Sequence, residues 1–237
     1  MRSSRQVLEQ EIDKPGKKRK YDPEAARANI IAVATTEFAD RGLSGARIDE
    51  IAAKTKTSKR MIYYYFKDKE GLYRAVLESA YERIRTDEDD LKLDHLPPLE
   101  ALSRLVEFTF THLTESPEFI RIVMIENIHH AAHLEGSEII EAVNSEAIQT
   151  LERIYQSGVS AGVFRAGLKP IELHWLISAL SFFNVSNRAT FSKVFGWDQA
   201  APDNQNRLKQ HAIDMVLRFA IPTNRLSEYS SYLASPD

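Results

Sequence analysis

The chain has 237 residues, 43% of them hydrophobic and 27% charged, which is enough to bury a substantial core without metal or disulfide support. It contains no cysteine, which excludes disulfides, thiol nucleophiles, iron–sulfur clusters and thiolate zinc sites. The net charge is −3, but residues 1–70 hold 16 basic against 11 acidic residues, and residues 71–237 hold 15 against 23. A basic first third on an acidic body is expected when one part of a protein contacts a polyanion; a solvated basic segment is the alternative.

The sequence predicts neither a membrane-spanning helix nor a signal peptide. No apolar stretch in the chain reaches the roughly 18 residues needed to span a bilayer, and the first residues lack the apolar core of a signal peptide. We therefore expect a cytoplasmic protein. Residues 1–20 are polar and include a basic run at 17–20, which predicts a disordered arm. That arm either contacts the same polyanion as the rest of the basic part or is a solvated tail.

The first helix is predicted to begin at residue 23. Asp22 can act as its N-cap, Pro23 suits the first helical position, and Glu24 places a negative charge where the helix dipole favours it. Apolar residues then recur at helical spacing as far as Phe38. Gly42 is expected to close this helix.

Two very short helices follow and lead to a long fourth one. Apolar spacing predicts the second helix over 48–54 and the third over about 58–65, with a turn at 55–57 between them. Asp68 is positioned to cap the fourth helix. Two short helices joined by a three-residue turn are typical of a helix-turn-helix, whose second helix enters the DNA major groove.

The rest of the chain is also helical in pattern, with no convincing alternating strand. Five further helices are predicted, over 99–113, 118–133, 138–161, 171–190 and 204–221. The predicted fold class is all-α, with a small N-terminal unit that contains the two short helices and a larger C-terminal helical bundle. We place the boundaries at 1–20 for the arm, 21–70 for the DNA-binding domain, 71–222 for the bundle and 223–237 for a tail.

The outer face of the third helix carries side chains that suit DNA. Lys59 and Arg60 can donate to guanine edges or phosphates, and the hydroxyls of Tyr63 and Tyr64 can bind phosphates. Apolar residues of the same helix can face inward. From these residues alone, an αα-corner with a solvated basic face is the alternative.

The stretch 47–73 reads RIDEIAAKTKTSKRMIYYYFKDKEGLY and strongly resembles the TetR family of bacterial transcriptional regulators. The shared features are Ile-Ala in the first motif helix, a following Ser, a Tyr-x-Tyr-Phe cluster, and Lys-Glu-x-Leu at the start of helix four. The segment 37–42, EFADRG, fits the end of the family's first helix. The resemblance covers about residues 24–80. It implies a homodimeric, ligand-responsive repressor that binds a pseudo-palindromic double-stranded operator. The fold that it implies is an N-terminal three-helix helix-turn-helix DNA-binding domain followed by a C-terminal helical-bundle domain for ligand binding and dimerisation.

Matched by position, the resemblance implies that DNA contacts come from the helix-turn-helix and its flanks: Arg47, Lys56, Thr57, Ser58, Lys59, Arg60, Tyr63, Tyr64, Tyr65 and Lys69. Arg47 departs from the family pattern, because many members have a threonine there that caps the second helix and touches phosphate. An arginine cannot supply the capping oxygen, although it could reach phosphate itself.

The resemblance also implies that helices 171–190 and 204–221 form a four-helix dimer interface with the partner. The expected contact faces are Leu173, Ile177, Leu180 and Asn184 on one helix and Ile213, Val216, Leu217 and Ala220 on the other. The alternative is that both faces complete the monomer core. Candidates for binding an unidentified small-molecule effector are Phe110, Arg121, Trp175, Phe182, Phe183, Asn184 and Arg188, although residues of these types in a bundle are more often ordinary core.

The predicted sixth helix carries one candidate metal face. Glu126, His129 and His133 would share one helix face, and Glu-x-x-His is half of a di-iron bundle site. No second Glu-x-x-His occurs in the chain, so a polar inducer pocket or a solvated helix end is favoured. We therefore predict no metal, no cofactor and no enzyme activity, with a helical metal-dependent enzyme using this face as the alternative.

Overall fold

The structure is a computed structural model that describes residues 22–232; the predicted basic arm lies outside this range. The described residues form α-helices and two 3-10 helices, without β-strands: α1 (Pro23–Gly45), α2 (Ile48–Thr55), α3 (Lys59–Phe66), α4 (Lys69–Asp89), α5 (Pro98–Glu115), α6 (Pro117–Ile128), α7 (Glu138–Ser160), α8 (Pro170–Ser186), α9 (Arg188–Phe195) and α10 (Pro202–Ala220), with 3-10 helices at Leu93–His95 and Thr223–Tyr232. The all-α prediction is confirmed. No helix in this range is long and apolar enough to cross a membrane.

Side-chain caps fix the starts of the helices around the predicted motif. Asp22 accepts the N–H groups of the first turn of α1, Ser58 accepts one at the start of α3, and Asp68 accepts one at the start of α4. Gly42 interrupts α1 with a φ of 66°, a conformation that costs glycine little. The short α2 and α3 therefore begin and end close to where the sequence predicts them.

The N-terminal helices share a core with the bundle. Buried apolar side chains of α1 to α4, such as Phe38, Ile62 and Leu72, form one cluster, and Ile122 of α6 and Ile140 of α7 belong to the same cluster. Arg121 of α6 adds a surface ion pair to Asp40 of α1, with Nη1 and Oδ1 2.7 Å apart. The N-terminal helix-turn-helix unit thus packs directly on α6 and α7.

A second core lies inside the C-terminal bundle, among α5, α7, α8 and α10. The expected dimer faces point into it: the buried members are Leu173, Ile177, Asn184, Ile213, Val216, Leu217 and Ala220, and Leu180 packs against the cluster. The expectation that these faces meet a partner is wrong, and the alternative that they complete the monomer core is correct. An apolar stripe alone does not distinguish a helix face buried within a protomer from one buried between protomers.

Two features near the C-terminus differ from the sequence prediction. The helix expected to run to residue 190 ends at Ser186, and the separate helix α9 follows it. A 3-10 helix occupies Thr223–Tyr232, within the predicted tail. Leu226 and Tyr229 pack against the bundle core there, and Arg225 donates a hydrogen bond to the carbonyl of Gly162.

Candidate nucleic-acid interface and effector cavity

The third helix has one buried and one exposed side. Ile62 and Phe66 are buried in the N-terminal core, and because they are four residues apart they lie on the same face of the helix. On the other side Tyr64 is 77% exposed, and Tyr63, Lys59 and Arg60 are exposed as well. This is the arrangement that a major-groove helix requires, with its apolar face anchored and its polar face presented.

An acidic residue of α2 brings two of the predicted DNA-binding residues together. Asp49 forms an ion pair with Lys59 of α3, and its Oδ2 lies 4.0 Å from Nη2 of Arg47. All three side chains are about half exposed or more, so both cations remain accessible. Arg47 makes no side-chain cap bond to α2, as its chemistry predicts.

The other predicted contact residues flank α3. Lys56 and Ser58 are exposed and Thr57 is half-buried. Lys56 has a left-handed φ of 54° and ends α2, which directs the chain into α3. The sharp turn between the two helices therefore rests on local backbone geometry, whereas the start of α3 rests on the Ser58 cap.

Tyr65 and Lys69 are less exposed than the rest of the set. Tyr65 packs edge-on to Tyr64, with ring centroids 5.4 Å apart. Nζ of Lys69 donates to the carbonyl of Ser44 at 3.2 Å and so joins the start of α4 to the end of α1. Both residues can support the position of α3 and α4 as well as touch a ligand.

Comparison with known proteins identifies this arrangement. Residues 30–76 match the family model described as bacterial regulatory proteins of the tetR family, and residues 98–216 match the model for the tetracyclin repressor-like C-terminal domain. The chain is 35% identical over 200 residues to the HTH-type transcriptional repressor NicS of Pseudomonas putida, covering 84% of this chain and 94% of that protein. The chain belongs to the TetR family. As a TetR-family protein it is a DNA-binding transcriptional regulator, and the enzyme alternative is not favoured.

Other comparisons agree on the family and the fold. The HTH-type transcriptional repressor SCO4008 of Streptomyces coelicolor is 30% identical over 165 residues, covering 68% of this chain and 78% of that protein. The solved structure of the regulator SCO4942 of the same species has a TM-score of 0.62 at 23% identity, covering 82% of this chain and 98% of that one. A Bacillus subtilis FadR complex with stearoyl-CoA has the same TM-score at 15% identity, covering 81% and 98%. These two structures support the TetR fold alone.

The helix face that was the candidate metal site does not form. Helix α6 ends at Ile128, so His129 and His133 lie in the turns that follow it. Glu126 is buried, and its carboxylate accepts the backbone N–H of His133 at 3.1 Å and contacts the Nδ1 of the same residue at 3.0 Å. These contacts replace the expected helical continuation. Within residues 22–232, no cluster of three or more His, Asp or Glu side chains could hold a metal ion.

A cavity of about 230 Å³ lies inside the bundle, lined by α4, α5, α6, α7 and α8. Aromatic side chains form much of its wall: Tyr81, Phe108, Phe119 and Phe182. Its polar lining includes Arg85, Glu88, His112, Asn144 and His174. Of the seven candidate effector-binding residues, only Phe182 lines this cavity.

Four of the remaining candidates lie on the protein surface or in the core. Arg121 is exposed and paired with Asp40, because α6 turns this side chain towards the DNA-binding unit. Trp175 is 70% exposed on α8, and Phe183 is exposed on the same helix. Phe110 is buried in the bundle core. None of these four side chains reaches the cavity.

Asn184 is a structural hydrogen-bonding residue. Its Nδ2 donates to Thr114 at 3.2 Å and to Gln205 at 2.9 Å, and its Oδ1 accepts from Gln199 at 2.9 Å. The Nε of Arg188 donates to the backbone carbonyl of Asn184 at 3.4 Å. The contacts of Asn184 join α5, α8 and α10, and neither Asn184 nor Arg188 lines the cavity.

Burial shifts the pKa values of three titratable groups in the cavity lining. Nη1 of Arg85 donates to Oε2 of Glu88 at 2.5 Å, and burial raises the pKa of Glu88 although Arg85 opposes the rise. Burial lowers the pKa of His112 and of His174, which favours neutral imidazoles. Sequence reasoning missed these four residues. For Arg85 and Glu88 a signal was present in the sequence. Together with Tyr81 they stand at i, i+4 and i+7, which places all three side chains on one face of α4.

Proposed function

We propose that the protein is a repressor that binds double-stranded operator DNA as a homodimer and is released by a small molecule bound in the bundle. The observation that carries this proposal is the third helix, which buries Ile62 and Phe66 and presents Lys59, Arg60 and Tyr64. Arg47, Lys56, Thr57, Ser58, Tyr63, Tyr65 and Lys69 complete the proposed DNA-binding set. The protein would act in the cytoplasm, where bacterial operator DNA is found.

Homodimerisation is proposed through the outer faces of α8 and α10, within the ranges 171–190 and 204–221. Large apolar side chains are exposed on these two helices: Ile171, Trp175, Phe183, Met215 and Phe219. A protomer that leaves five such side chains in water gains free energy by covering them. Two-fold pairing would place the two α3 helices about one DNA turn, or a multiple of it, apart on a pseudo-palindromic site.

Helix α4 supplies a physical route from effector to operator. Tyr81, Arg85 and Glu88 of α4 line the cavity, while Lys69 at the other end of the same helix adjoins the helix-turn-helix. An effector that binds more tightly to one tilt of α4 than to another would shift the population of DNA-competent dimers. Without such differential affinity, a ligand in the cavity would have no effect on operator binding.

The proposal is tested by selecting DNA from a random pool with the purified full-length protein. We expect enrichment of sequences with two-fold symmetry and half-sites spaced by about 10 base pairs or a multiple. Electrophoretic retardation then measures affinity for the selected DNA. Failure to enrich any duplex, or enrichment of sites without symmetry, would refute the operator-binding dimer.

A further inference from the structure

The size and walls of the bundle cavity restrict the ligand. Its volume of about 230 Å³ lies below the roughly 300–1,000 Å³ of sites for drug-sized molecules, so the ligand is smaller than those. Tyr81 and Phe119 meet edge-to-face with ring centroids 5.2 Å apart, and Phe108 lies 5.3 Å from the ring of His112. Such walls favour a flat ring, which can pack against both faces and edges of aromatic side chains.

One donor in the cavity lining lacks a partner. Arg85 is only 15% exposed, and it pairs with Glu88 through Nη1. Its Nε is buried and makes no hydrogen bond to any residue in the described part of the chain. A buried guanidinium N–H left unpaired is costly, so a ligand that accepts from it gains affinity. The edge of the guanidinium formed by Nε and Nη2 is the one that binds a carboxylate with two parallel hydrogen bonds.

The other polar groups that the structure describes in the lining do not provide a second positive charge that could bind an anion in place of Arg85. Arg85 is the only arginine or lysine among the described residues that line the cavity. The two histidines, His112 and His174, have lowered pKa values because of burial, so they contribute neutral donors or acceptors. The carboxylate of Glu88 is already engaged by Arg85.

We propose that the effector is a small aromatic monocarboxylate whose carboxylate binds the unpaired Nε edge of Arg85 while its ring packs among Tyr81, Phe108 and Phe119. This inference rests on the proposed function, since it takes the bundle cavity as the effector site. It adds the ligand's charge, its approximate size and the residue that recognises it.

The probes are benzoate, 4-hydroxybenzoate and phenylacetate, with benzamide and benzylamine as the neutral and cationic counterparts. Calorimetric titration of the full-length protein measures binding. We expect at least one of the three acids to bind, and we expect benzamide and benzylamine each to bind at least tenfold more weakly than that acid. Tighter binding of benzylamine than of every acid, or no binding of any of the three acids, would overturn the ligand class.

Variants test the role of Arg85 directly. Arg85→Met should reduce acid affinity at least tenfold, whereas Arg104→Met, an exposed arginine of α5 paired with Glu100, should leave it unchanged. Wild-type affinity in a folded Arg85→Met protein would overturn the assignment. If Arg85→Met does not fold, Glu88→Gln decides: removing the competing carboxylate should preserve or tighten acid binding, and weaker binding would contradict the proposal.

The failure of this proposal can be separated from failure of the proposed function. DNA selection without any added acid tests operator binding alone. If operator DNA is bound but none of the acids binds, the ligand class is wrong and the repressor function stands. If an acid binds through Arg85 but does not release the DNA, its role as effector is wrong.

Discussion

Arg121 on α6 and Asp40 on α1 form an ion pair, with Nη1 and Oδ1 2.7 Å apart, that joins the ligand-binding bundle to the DNA-binding unit. The next residue, Ile122, is buried in the core of that unit. Nearby, the rings of Tyr73 and His133 meet edge-to-face 5.1 Å apart, and Ser137 donates to Glu78 at 2.8 Å. The contact between the two parts is therefore a packed junction in which α6 takes part on the bundle side.

Ile122→Ala should lower the free energy of unfolding by about 2–4 kcal/mol, because it leaves a cavity in the N-terminal core. Ile122 is 1% exposed, whereas Ile128 on the same helix is 72% exposed, so Ile128→Ala is the matched control and should change stability little. Urea unfolding followed by circular dichroism measures both. Equal effects of the two substitutions would contradict the placement of α6.

Arg121→Ala should cost at most about 1 kcal/mol of stability, because the two charged side chains are 60% and 56% exposed and such pairs contribute little. If Arg121 held the effector instead, the substitution would abolish effector binding. We expect acid affinity to be unchanged in this variant. The same calorimetric titration therefore shows whether Arg121 contributes to acid binding.

Trp175→Glu should weaken the dimer, since it places a charge in the proposed apolar interface. Ile128→Glu is the control, because it introduces the same charge at an equally exposed isoleucine on α6. Sedimentation velocity at several concentrations should show monomer for the first variant and wild-type behaviour for the second. Dimers of wild-type affinity in both would place the interface elsewhere.

Stability should depend on pH through the cavity histidines. A lowered folded-state pKa means that the unfolded state binds more protons, so the stability due to neutral His174 is present above about pH 6.5 and is lost as the pH falls below it. The raised pKa of Glu88 acts in the opposite direction, lowering stability as the pH rises above about 4.5. His174→Gln should therefore show a smaller loss of stability than wild type between pH 7 and pH 5, measured by urea unfolding. An unchanged pH dependence would show that His174 is not held neutral.

The sequence predicted the DNA-binding unit well because its signals are local. Capping residues such as Asp22 and Asp68 determine helix starts within one turn, and the predicted starts of α1 and α4 depended on them, whereas α2 and α3 were predicted from apolar spacing. Contacts between residues distant in sequence were harder. The end of α6 depends on the carboxylate of Glu126 accepting from His133, which no helical periodicity reveals.

The polar residues that line the bundle cavity were missed for a related reason. The sequence identifies apolar stripes on α8, but which stripe faces the core depends on how the whole bundle packs. Trp175 and Phe183 proved exposed, and Leu173 and Ile177 proved buried. The candidate effector-binding residues were chosen mainly for their aromatic side chains. They did not include the polar residues that line the cavity, such as Arg85.

The most direct test of DNA reading by α3 is the affinity of the selected operator for Tyr63→Ala and Arg60→Ala variants, measured by fluorescence anisotropy at fixed salt. Each substitution removes an exposed side chain of α3, and Arg104→Ala on α5 is the control. We predict a loss of about 1–3 kcal/mol per substitution, or roughly 5- to 150-fold, with helical content and dimerisation unchanged and the control like wild type. Wild-type operator affinity in both α3 variants would contradict the placement of the DNA-binding surface.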